Sequence, residues 1–422
     1  MTGLFLEPLD VLFLRGNKLF GDPGSYGEAL IPPWPSAAAG ALRSRLLVDA
    51  GFDLAAFAGS KNAHPELGTP QKPGSFTVTA FHMARRDREG RLEILVAPPA
   101  DLVINEPEGC KKEDCNGKPV VRRLQPSRLA AGLASSYTLP LTPVLAEPTR
   151  SKPAGGYWLT QAGWAKYLKG ETPAADDLVD SSALWSLDHR VGVGLDATTR
   201  RAADGRLFAV QAVAPIERHH PIYICKDKDE KKRLVQAGYD VGFWVEVKGA
   251  TLPTSGMVRL GGDGRAAAIQ AVDFTPPHPD YERIVQDRRC RLVLTTPGFF
   301  GLPPHDGSES GGEGWLPTGA RPEEKREDGA IRFELAGVAG WIVAAAVPRA
   351  EVVSGWDLAN WQPKPALRAA PAGSVWWLEL DRGVTAEALG KLVERGLWTD
   401  EQYDNEPRRA EGFNRAALAV WR

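Results

Sequence analysis

The sequence has 422 residues, of which 43% are hydrophobic and 25% are charged, and its formal net charge at pH 7 is -2. This balance is that of a globular protein and excludes a chain that is disordered throughout, and the length allows two or three hydrophobic cores. A net charge close to zero also excludes a general electrostatic attraction to nucleic acid or anionic membranes. Any nucleic-acid binding must therefore come from a local patch.

The N-terminal stretch MTGLFLEPLD carries Glu7 and Asp10 where a secretory signal would need an uninterrupted apolar stretch. The longest apolar run, Trp341 to Val347, is far shorter than the roughly 20 residues of a membrane-spanning helix. It predicts a buried strand instead. We therefore expect a cytoplasmic protein without a membrane partner.

The four cysteines, at positions 110, 115, 225 and 290, are too few and too scattered for a disulfide framework. Cys110 and Cys115 have the separation seen in some zinc loops, and His219, His220 and Cys225 could supply further ligands. Because the second half of this set is irregular, we favour the alternative of reduced thiols in a polar insertion. We expect no metal and no cofactor.

In chain order, the first elements predict strands, a helix and a hairpin. Short apolar runs before Arg15 lead into a loop rich in Gly and Pro, and Ser36 is then placed to cap a helix that Gly51 ends. Alternating apolar residues predict a hairpin with strands at Phe76–Ala80 and Leu92–Val96. A strand, a helix and two strands are the opening of a ferredoxin-like unit.

A polar insertion at about 101–150 interrupts this pattern, and its composition is typical of a surface loop. A short strand at Tyr157–Leu159 and a helix at Gln161–Leu168, behind Thr160, follow it. The next hairpin, residues 189–213, is expected to complete the unit. The resulting N-terminal lobe spans residues 1–215.

The hairpin begins with the stretch HRVGVGLDATTRRAADGRLF, residues 189–208, in which apolar residues alternate with glycine and aspartate. Its tip offers hydroxyl and guanidinium groups, which suit phosphate oxygens and base edges. These groups belong to Thr198, Thr199, Arg200 and Arg201. The alternative is an ordinary hairpin with a solvated tip.

Residues 216–289 predict a β-rich connecting segment with a strand at Val241–Val247. The turn GGDGR at 261–265 could bring backbone amides close to a ligand, or it could be a plain turn. A C-terminal lobe, 290–422, contains a Gly-rich acidic insertion at about 301–330 and a helix at Ala386–Arg395. The fold class is therefore α+β, with two ferredoxin-like lobes that carry hairpin and loop insertions.

The chain lacks the sequence motifs of P-loop NTPases, α/β-hydrolases, zincins and kinases. Among its histidines, His189 and the pair His219 and His220 lie beside basic residues, where acid or base catalysis on RNA would make sense. Arginines recur in pairs, and each pair could bind phosphate or form ordinary ion pairs with nearby acids. The pairs stand at positions 85 and 86, 122 and 123, 200 and 201, 288 and 289, and 408 and 409.

Six blocks of sequence together resemble the third subunit of type III-B (Cmr) CRISPR effector complexes, a family within the RAMP superfamily. The blocks are FLEPLDVLFLRGNKLFG (5–21), PPWPSAAAGALRSRLL (32–47), HRVGVGLDATTRRAADGRLF (189–208), RLGGDGR (259–265), LTTPGFFG with GWLP, and SGWDLANWQPKPALRAAPAGSV (354–375). They occur in the order of the family. The resemblance skips the two insertions.

The resemblance implies two RAMP lobes and a non-catalytic role in binding the 5′ handle of the CRISPR RNA. The implied protein partners are the large polymerase-like subunit and the first backbone RAMP subunit, with only indirect contact to target RNA. The hairpin tip would resemble the RAMP thumb, and Phe413 would be one candidate stacking surface. The candidate RNA-binding residues are Arg15, Arg43, His189, Arg190, Thr198, Thr199, Arg200, Arg201, Gly261, Gly262, Arg265, Lys364, Arg368, Arg408, Arg409, Gly412 and Phe413.

One departure from the family lies in the closing loop, which reads GFN where a second glycine is expected after the aromatic residue. Asn414 tolerates a positive φ better than most residues, so the turn can persist. Two other functions stay open. One is a metal-independent RAMP endoribonuclease that uses His189 or His219, and the other is a scaffold that makes no contact with RNA.

Overall fold

The structure is a computed structural model. It describes residues 2–16, 26–106, 118–130, 133, 135–147, 152–196, 198–224, 233–300, 314–357, 362–399 and 406–422. Cys110, Cys115 and Cys225 of the zinc alternative lie outside these ranges, as do parts of both predicted insertions.

The elements up to residue 215 are mostly strands. In chain order they are β1 (Thr2–Pro8), β2 (Tyr26–Gly27), α1 (Pro35–Asp49), α2 (Leu54–Ala58), β3 (Thr77–Asp87), β4 (Leu92–Leu95), β5 (Leu102–Asn105), β6 (Val120–Arg123), β7 (Gln125–Ser127), β8 (Thr142–Val144), β9 (Tyr157–Leu159), α3 (Gln161–Leu168), β10 (Leu178–Asp180), β11 (Trp185–Leu195) and β12 (Ala202–Pro215). Two short 3-10 helices flank β10, at Ala175–Asp177 and Ser181–Ala183.

The remaining elements continue this pattern. They are β13 (Pro221–Ile224), β14 (Arg233–Gln236), β15 (Tyr239–Lys248), β16 (Ser255–Arg259), β17 (Ala266–Ala271), α4 (Tyr281–Asp287), β18 (Arg289–Leu294), β19 (Ala320–Lys325), β20 (Ile331–Leu335), β21 (Val338–Ala346), β22 (Glu351–Val353), β23 (Trp356–Asp357), β24 (Gln362–Pro363), β25 (Leu367–Ala369), β26 (Val375–Leu380), α5 (Ala386–Arg395), α6 (Glu406–Ala410) and β27 (Ala416–Val420). Mixed helices and strands agree with the α+β class.

Two antiparallel six-stranded sheets organise the chain. The first has the order β16, β17, β1, β15, β3, β4, and the second has the order β19, β20, β21, β26, β18, β27. In each sheet, four adjacent strands, numbered by their order along the chain, lie in the order fourth, first, third, second. These sets are β1, β3, β15 and β17 in the first sheet, and β18, β21, β26 and β27 in the second.

The two sheets share a hydrophobic core. Alternate residues of a strand point to opposite faces, so Phe5 and Trp377 pack in this shared core, whereas Leu4 faces α1 and Trp376 faces α4 and α5. The helix α3 also contributes to the shared core, through Trp164, Tyr167 and Leu168. The order of layers is therefore helix, sheet, sheet, helices, with α3 at the junction.

A buried ion pair lies at this junction. The Arg291 guanidinium donates to Asp101 over 2.6 Å and to the backbone oxygen of Tyr167 over 2.9 Å. The Tyr167 hydroxyl donates to the other oxygen of Asp101 over 2.8 Å. Since all three side chains are almost completely buried, the loss of either Arg291 or Asp101 would leave the other charge uncompensated in a low dielectric.

The hairpin β11–β12 lies outside both large sheets. With β2 it forms a separate three-stranded sheet, so the prediction that it completes the first sheet is wrong. β15 and β17, from the segment 216–289 that we predicted as a connection, fill those places instead. Periodicity identifies a strand but does not identify its neighbour, because pairing depends on contacts between distant residues.

The helix ends were predicted with mixed success. Thr160 and Thr385 cap α3 and α5 through their hydroxyls, as predicted. The N-cap of α1 is Trp34, with Pro35 as the first helical residue, so the prediction of Ser36 is wrong. Proline suits this position because its missing N–H would have no partner in the first turn.

The apolar run from Trp341 to Val347 lies mostly within β21, in the middle of the second sheet, as predicted. Among the described residues, no helix has the length and apolar character that crossing a bilayer would need. The stretch is a strand that pairs with β20 on one side and with β26 on the other, and not a helix.

We expect the stability of the fold to depend on His82 below neutral pH. Its ring stacks on that of Trp244 with the centroids 6.0 Å apart, and burial lowers its pKa to about 4. The folded pKa lies below the ordinary value of 6.5, so the unfolded chain binds the proton more tightly. The free energy of unfolding therefore includes the full contribution of the neutral ring above pH 6.5. It decreases by up to about 3 kcal/mol as the pH falls toward 4.

Thermal unfolding of the unaltered chain and of His82→Phe between pH 7 and pH 4.5 measures this effect. The gap between the two midpoints should shift in favour of His82→Phe as the pH falls. Parallel curves over the whole range would show that folding does not lower the pKa of His82.

Candidate nucleic-acid interface

Three of the predicted arginines meet at one aromatic ring. The guanidinium carbons of Arg15, Arg190 and Arg265 lie 5.7, 6.0 and 5.2 Å from the centroid of Phe13. We call these four residues the Phe13 cluster. Its arginines come from chain segments more than 70 residues apart, so no local pattern could have shown that they converge.

The backbone around Phe13 holds the cluster together. Leu12 pairs with Val213 of the hairpin, Phe13 pairs with Gly262, and Arg15 pairs with Ala29. The segment thus connects the hairpin to the GGDGR turn. The aliphatic side chains of Val210 and Ala212 pack beneath the Phe13 ring.

The glycine turn packs against Phe13 itself. Gly261 has a φ of +79°, and a Cβ there would lie 2.8 Å from the backbone oxygen of Phe13. The Gly262 N–H donates to the same oxygen over 2.8 Å. The close approach that these glycines permit is therefore to the protein's own backbone. This leaves the Arg265 side chain, at the end of the turn, to face the ring.

Acidic side chains partly balance the cluster. Arg265 pairs with Asp10 and lies 3.8 Å from Asp263, and Arg190 pairs with Asp188 over 2.8 Å. Burial lowers the pKa of Arg15, and the charge of Asp263 opposes that shift. These pairs orient the guanidinium forks, and the arginines of such pairs can also bind phosphate where they face solvent.

Next to the cluster, His189 stacks on Tyr26. The ring centroids are 6.2 Å apart, and the Tyr26 hydroxyl lies 3.2 Å from Nδ1 of His189. Tyr26 is 42% exposed, so it offers an aromatic face to solvent. The sequence analysis missed Tyr26, because a single tyrosine in a Gly- and Pro-rich loop carries no periodic signal.

The hairpin tip is built around Asp196. Its carboxylate accepts hydrogen bonds from the backbone N–H groups of Thr198 and Thr199, over 3.0 and 2.6 Å, and from the Thr199 hydroxyl over 2.9 Å. These bonds lower the pKa of Asp196. The Thr199 hydroxyl therefore holds the turn, while Arg200, at a φ of +54°, and Arg201 stay exposed.

A second group of predicted residues surrounds the buried carboxylate of Glu411. Lys364 pairs with it over 2.8 Å and Arg408 pairs with it over 3.2 Å. Burial lowers the pKa of Arg43, and the charge of Glu411 opposes this shift. The sequence analysis missed Glu411, although an acid between basic residues was the available signal.

Two predicted residues of this group lie inside the protein. Phe413 has no exposed surface, and Arg408 is 4% exposed. The Arg408 guanidinium lies 5.3 Å from the Phe413 ring and 5.5 Å from the Phe299 ring. The expectation that Phe413 offers a stacking surface is wrong in this conformation, because its ring fills a core with Trp34 and Trp398.

The closing loop keeps its turn. Asn414 has a φ of +57°, as its tolerance of the left-handed region predicted, and its side chain bonds both the N–H and the oxygen of Phe299. Gly412 has a φ of +91°, and a Cβ there would lie 2.8 Å from Val78 of β3. Glycine therefore lets this loop approach the first sheet. Of the other predicted residues, Arg409 is half-buried on α6 and Arg368 is exposed on β25.

Several arginine pairs form ion pairs with acids, as the alternative interpretation predicted. Arg85 bonds Glu93 and Arg86 bonds Glu7, each over 2.6 Å, and Arg122 pairs with Glu147. These three arginines stabilise the fold. Arg200 and Arg201, by contrast, lie at an exposed tip.

The segment 26–34 runs from one group to the other. Tyr26 stacks on His189, Ala29 pairs with Arg15, and Trp34 packs in the core that contains Phe413. Within the described ranges, no group of three His, Cys, Asp or Glu side chains is arranged to hold a metal ion. The arrangement offers guanidinium groups, an exposed aromatic face and hydroxyls, which are the groups that bind single-stranded nucleic acid.

The family model of the CRISPR-associated protein Cas_Cmr3 matches residues 4–421. The chain is similar to one in the cryo-EM structure of the type III-B Cmr-beta bound to cognate target RNA and AMPPnP, state 1, with 14% identity and a TM-score of 0.43 over 99% of this chain and 98% of that one. It is also similar to one in the cryo-EM structure of the type III-B Cmr-beta bound to cognate target RNA, with 13% identity and a TM-score of 0.44 over 98% and 96% of the two chains. No curated protein shows significant similarity. Because the family model spans nearly all residues, the chain belongs to the Cas_Cmr3 family of CRISPR-associated proteins.

Proposed function

We propose that this chain is a non-catalytic, cytoplasmic subunit of a type III-B CRISPR effector complex. It binds the repeat-derived 5′ handle of the CRISPR RNA, and it bridges the large polymerase-like subunit to the first backbone subunit. Its contact with target RNA is indirect. Family membership supports a role in such a complex, and the Phe13 cluster is the observation that carries the RNA-binding part.

The chemistry of the Phe13 cluster and its surroundings suits a single-stranded RNA. Guanidinium forks neutralise and orient phosphates, and the exposed ring of Tyr26 offers a base a surface for stacking. Arg200 and Arg201 extend the cationic surface beyond the cluster. Because the whole chain has a net charge of -2, its overall charge does not attract RNA. The local concentration of arginine side chains would supply that attraction.

The strand order supports the RAMP assignment. In both large sheets four of the six strands, numbered by their order along the chain, lie in the order fourth, first, third, second, which is the order of a ferredoxin-like βαββαβ unit. Among the described residues, each sheet has one of the two helices of such a unit. α1 joins the first strand to the second in the first sheet, and α5 joins the third to the fourth in the second sheet.

Binding of a fluorescent RNA with the repeat-derived 5′ sequence tests the proposal. We expect Arg190→Ala/Arg200→Ala to weaken binding by roughly tenfold or more and to reduce the salt dependence by about two phosphate contacts. The matched control is Arg349→Ala/Arg382→Ala, which removes two exposed arginines elsewhere. Equal losses in both double variants would contradict a specific RNA contact, and no loss in either would favour the scaffold alternative.

The non-catalytic part has its own test. His189→Ala and His219→Ala should leave the purified complex intact and the lengths of its RNA unchanged. Loss of RNA trimming in either variant, with an intact complex, would favour the endoribonuclease alternative.

A further inference from the structure

A second exposed aromatic side chain lies far along the chain from Tyr26. β22 and β23 pair with β25 and β24 and form a hairpin within residues 351–369, which we call the Trp356 hairpin. Trp356 itself is 46% exposed. Among the side chains that the structure describes, Tyr26 and Trp356 are the exposed ones of the Phe, Tyr and Trp types. Tryptophan is highly buried on average, so an indole in this position points to a function.

Strand pairing gives the Trp356 hairpin an inner and an outer face. Val353 is completely buried, and the Lys364 ammonium donates to the buried Glu411 carboxylate over 2.8 Å, so both side chains point inward. Neighbouring residues of a strand point to opposite faces. The outer face therefore consists of two exposed cross-strand pairs, Val352 with Arg368 and Trp356 with Pro363.

The backbone beneath Trp356 is firmly held. The Arg408 guanidinium donates to the Ser354 backbone oxygen over 3.1 Å, and the Ser354 hydroxyl donates to the Lys364 backbone oxygen over 3.3 Å. The Lys364 N–H donates to the Gly355 oxygen over 2.8 Å. A ring on such a backbone is already in position, so binding to it requires little ordering of the chain.

Positive charge lies beneath the outer face. Among the described residues, Arg43, Lys364 and Arg408 surround one carboxylate, that of Glu411. This group therefore holds more positive than negative charge. Arg368 adds an exposed guanidinium on the outer face itself.

A nucleobase fits this setting better than a protein side chain does. Bases of any sequence stack on indole rings, and cations beside such rings neutralise the phosphates of the strand. The core of a protein interface, by contrast, is poor in charge. Tyr26 lies beside the Phe13 cluster in the same way, and the segment 26–34 leads from there to Trp34, which shares a core with Val353 of the Trp356 hairpin.

We propose that Trp356 is a second base-stacking surface of the RNA site, and that Arg368 binds a phosphate on the same face. This inference rests on the proposed function, because it assumes that the chain binds the handle RNA. The RNA then lies across both cationic groups, with one base on Tyr26 and another on Trp356.

Titration of the chain with fluorescent handle RNA tests the inference through Trp356→Leu and Trp356→Phe. We expect Trp356→Leu to weaken binding by roughly fivefold or more, because one stacked base is lost, and Trp356→Phe to bind within about threefold of the unaltered chain, because a ring remains. The salt dependence should be unchanged in both variants, since neither removes a charge.

The matched control is Met257→Ala, which shortens a 58% exposed apolar residue on β16 and should leave the RNA affinity unchanged. Thermal unfolding should be unaltered in all three variants, because the replaced side chains are exposed.

RNAs with 2-aminopurine at single handle positions identify the stacked base. At one position the fluorescence should fall on binding to the unaltered chain and to Trp356→Phe, but not on binding to Trp356→Leu. Removal of that base from the RNA should weaken binding about as much as Trp356→Leu does, and the two changes together should cost no more than either alone.

Unchanged RNA affinity of Trp356→Leu would overturn the inference. Unchanged affinity together with failure to enter the reconstituted complex would show that a protein subunit covers the ring instead. If the unaltered chain does not bind the handle RNA at all, it is the proposed function that fails, and this inference fails with it.

Discussion

Replacing Arg291 by Met is expected to destabilise the protein by about 3–5 kcal/mol, because it leaves the Asp101 carboxylate buried without its cation. The Arg291 guanidinium also donates to the backbone oxygens of Tyr167 and Val420, over 2.9 and 3.0 Å. Arg291 lies on β18, so these bonds connect β18 to α3 and to β27. The ion pair with Asp101 connects β18 to the residue that precedes β5. Loss of these bonds should loosen the junction between the two sheets.

Denaturant unfolding, followed by tryptophan fluorescence, measures this loss. Arg283→Met serves as the control, because it breaks the exposed helical pair of Arg283 with Asp287, 2.8 Å long, and should cost less than about 0.5 kcal/mol. Replacing Asp101 and Arg291 together by Leu and Met should recover part of the stability, since neither charge is then left alone. Equal, small losses for Arg291→Met and Arg283→Met would show that the buried pair contributes little.

Replacing Arg408 by Ala is expected to destabilise the protein by about 3 kcal/mol and to leave the RNA affinity of the folded chain within twofold. Arg408 is buried between two aromatic rings and donates to the Ser354 oxygen over 3.1 Å and to Glu411 over 3.2 Å. Its removal opens a cavity and leaves the buried Glu411 carboxylate paired with the half-buried Lys364. The side chain therefore stabilises the closing loop.

Arg368→Ala is the matched control, because Arg368 is exposed on β25 and its loss should cost less than about 0.5 kcal/mol. Thermal unfolding and RNA titration at a temperature where both variants are folded separate the two effects. A stable Arg408→Ala chain that has lost RNA affinity tenfold would instead show that Arg408 leaves its pocket to bind RNA.

Part of the site could be predicted from the sequence. Arginines at turns, the hairpin with its hydroxyl-rich tip and the glycine turn all have local signals, and the structure places Arg15, Arg190 and Arg265 around one ring. Phe13 and Tyr26 could not be predicted as partners, because their roles depend on bridges to Gly262 and on stacking against His189. The burial of particular loop arginines, such as Arg408, could not be predicted from the sequence either.

The sequence by itself determined the elements whose signals are local. Threonine caps begin α3 and α5, alternation marks the two hairpin strands, and Asn414 accepts a positive φ. The family was also predicted from blocks of sequence, and the match to residues 4–421 confirms it.

Only the tertiary structure decided how these elements combine. It placed β15 and β17, and not the hairpin, beside β1, and it brought arginines from distant segments onto Phe13. The physical reason is that capping and alternation involve residues a few positions apart, whereas sheet order and charge clusters depend on packing between surfaces that the whole chain must bury together.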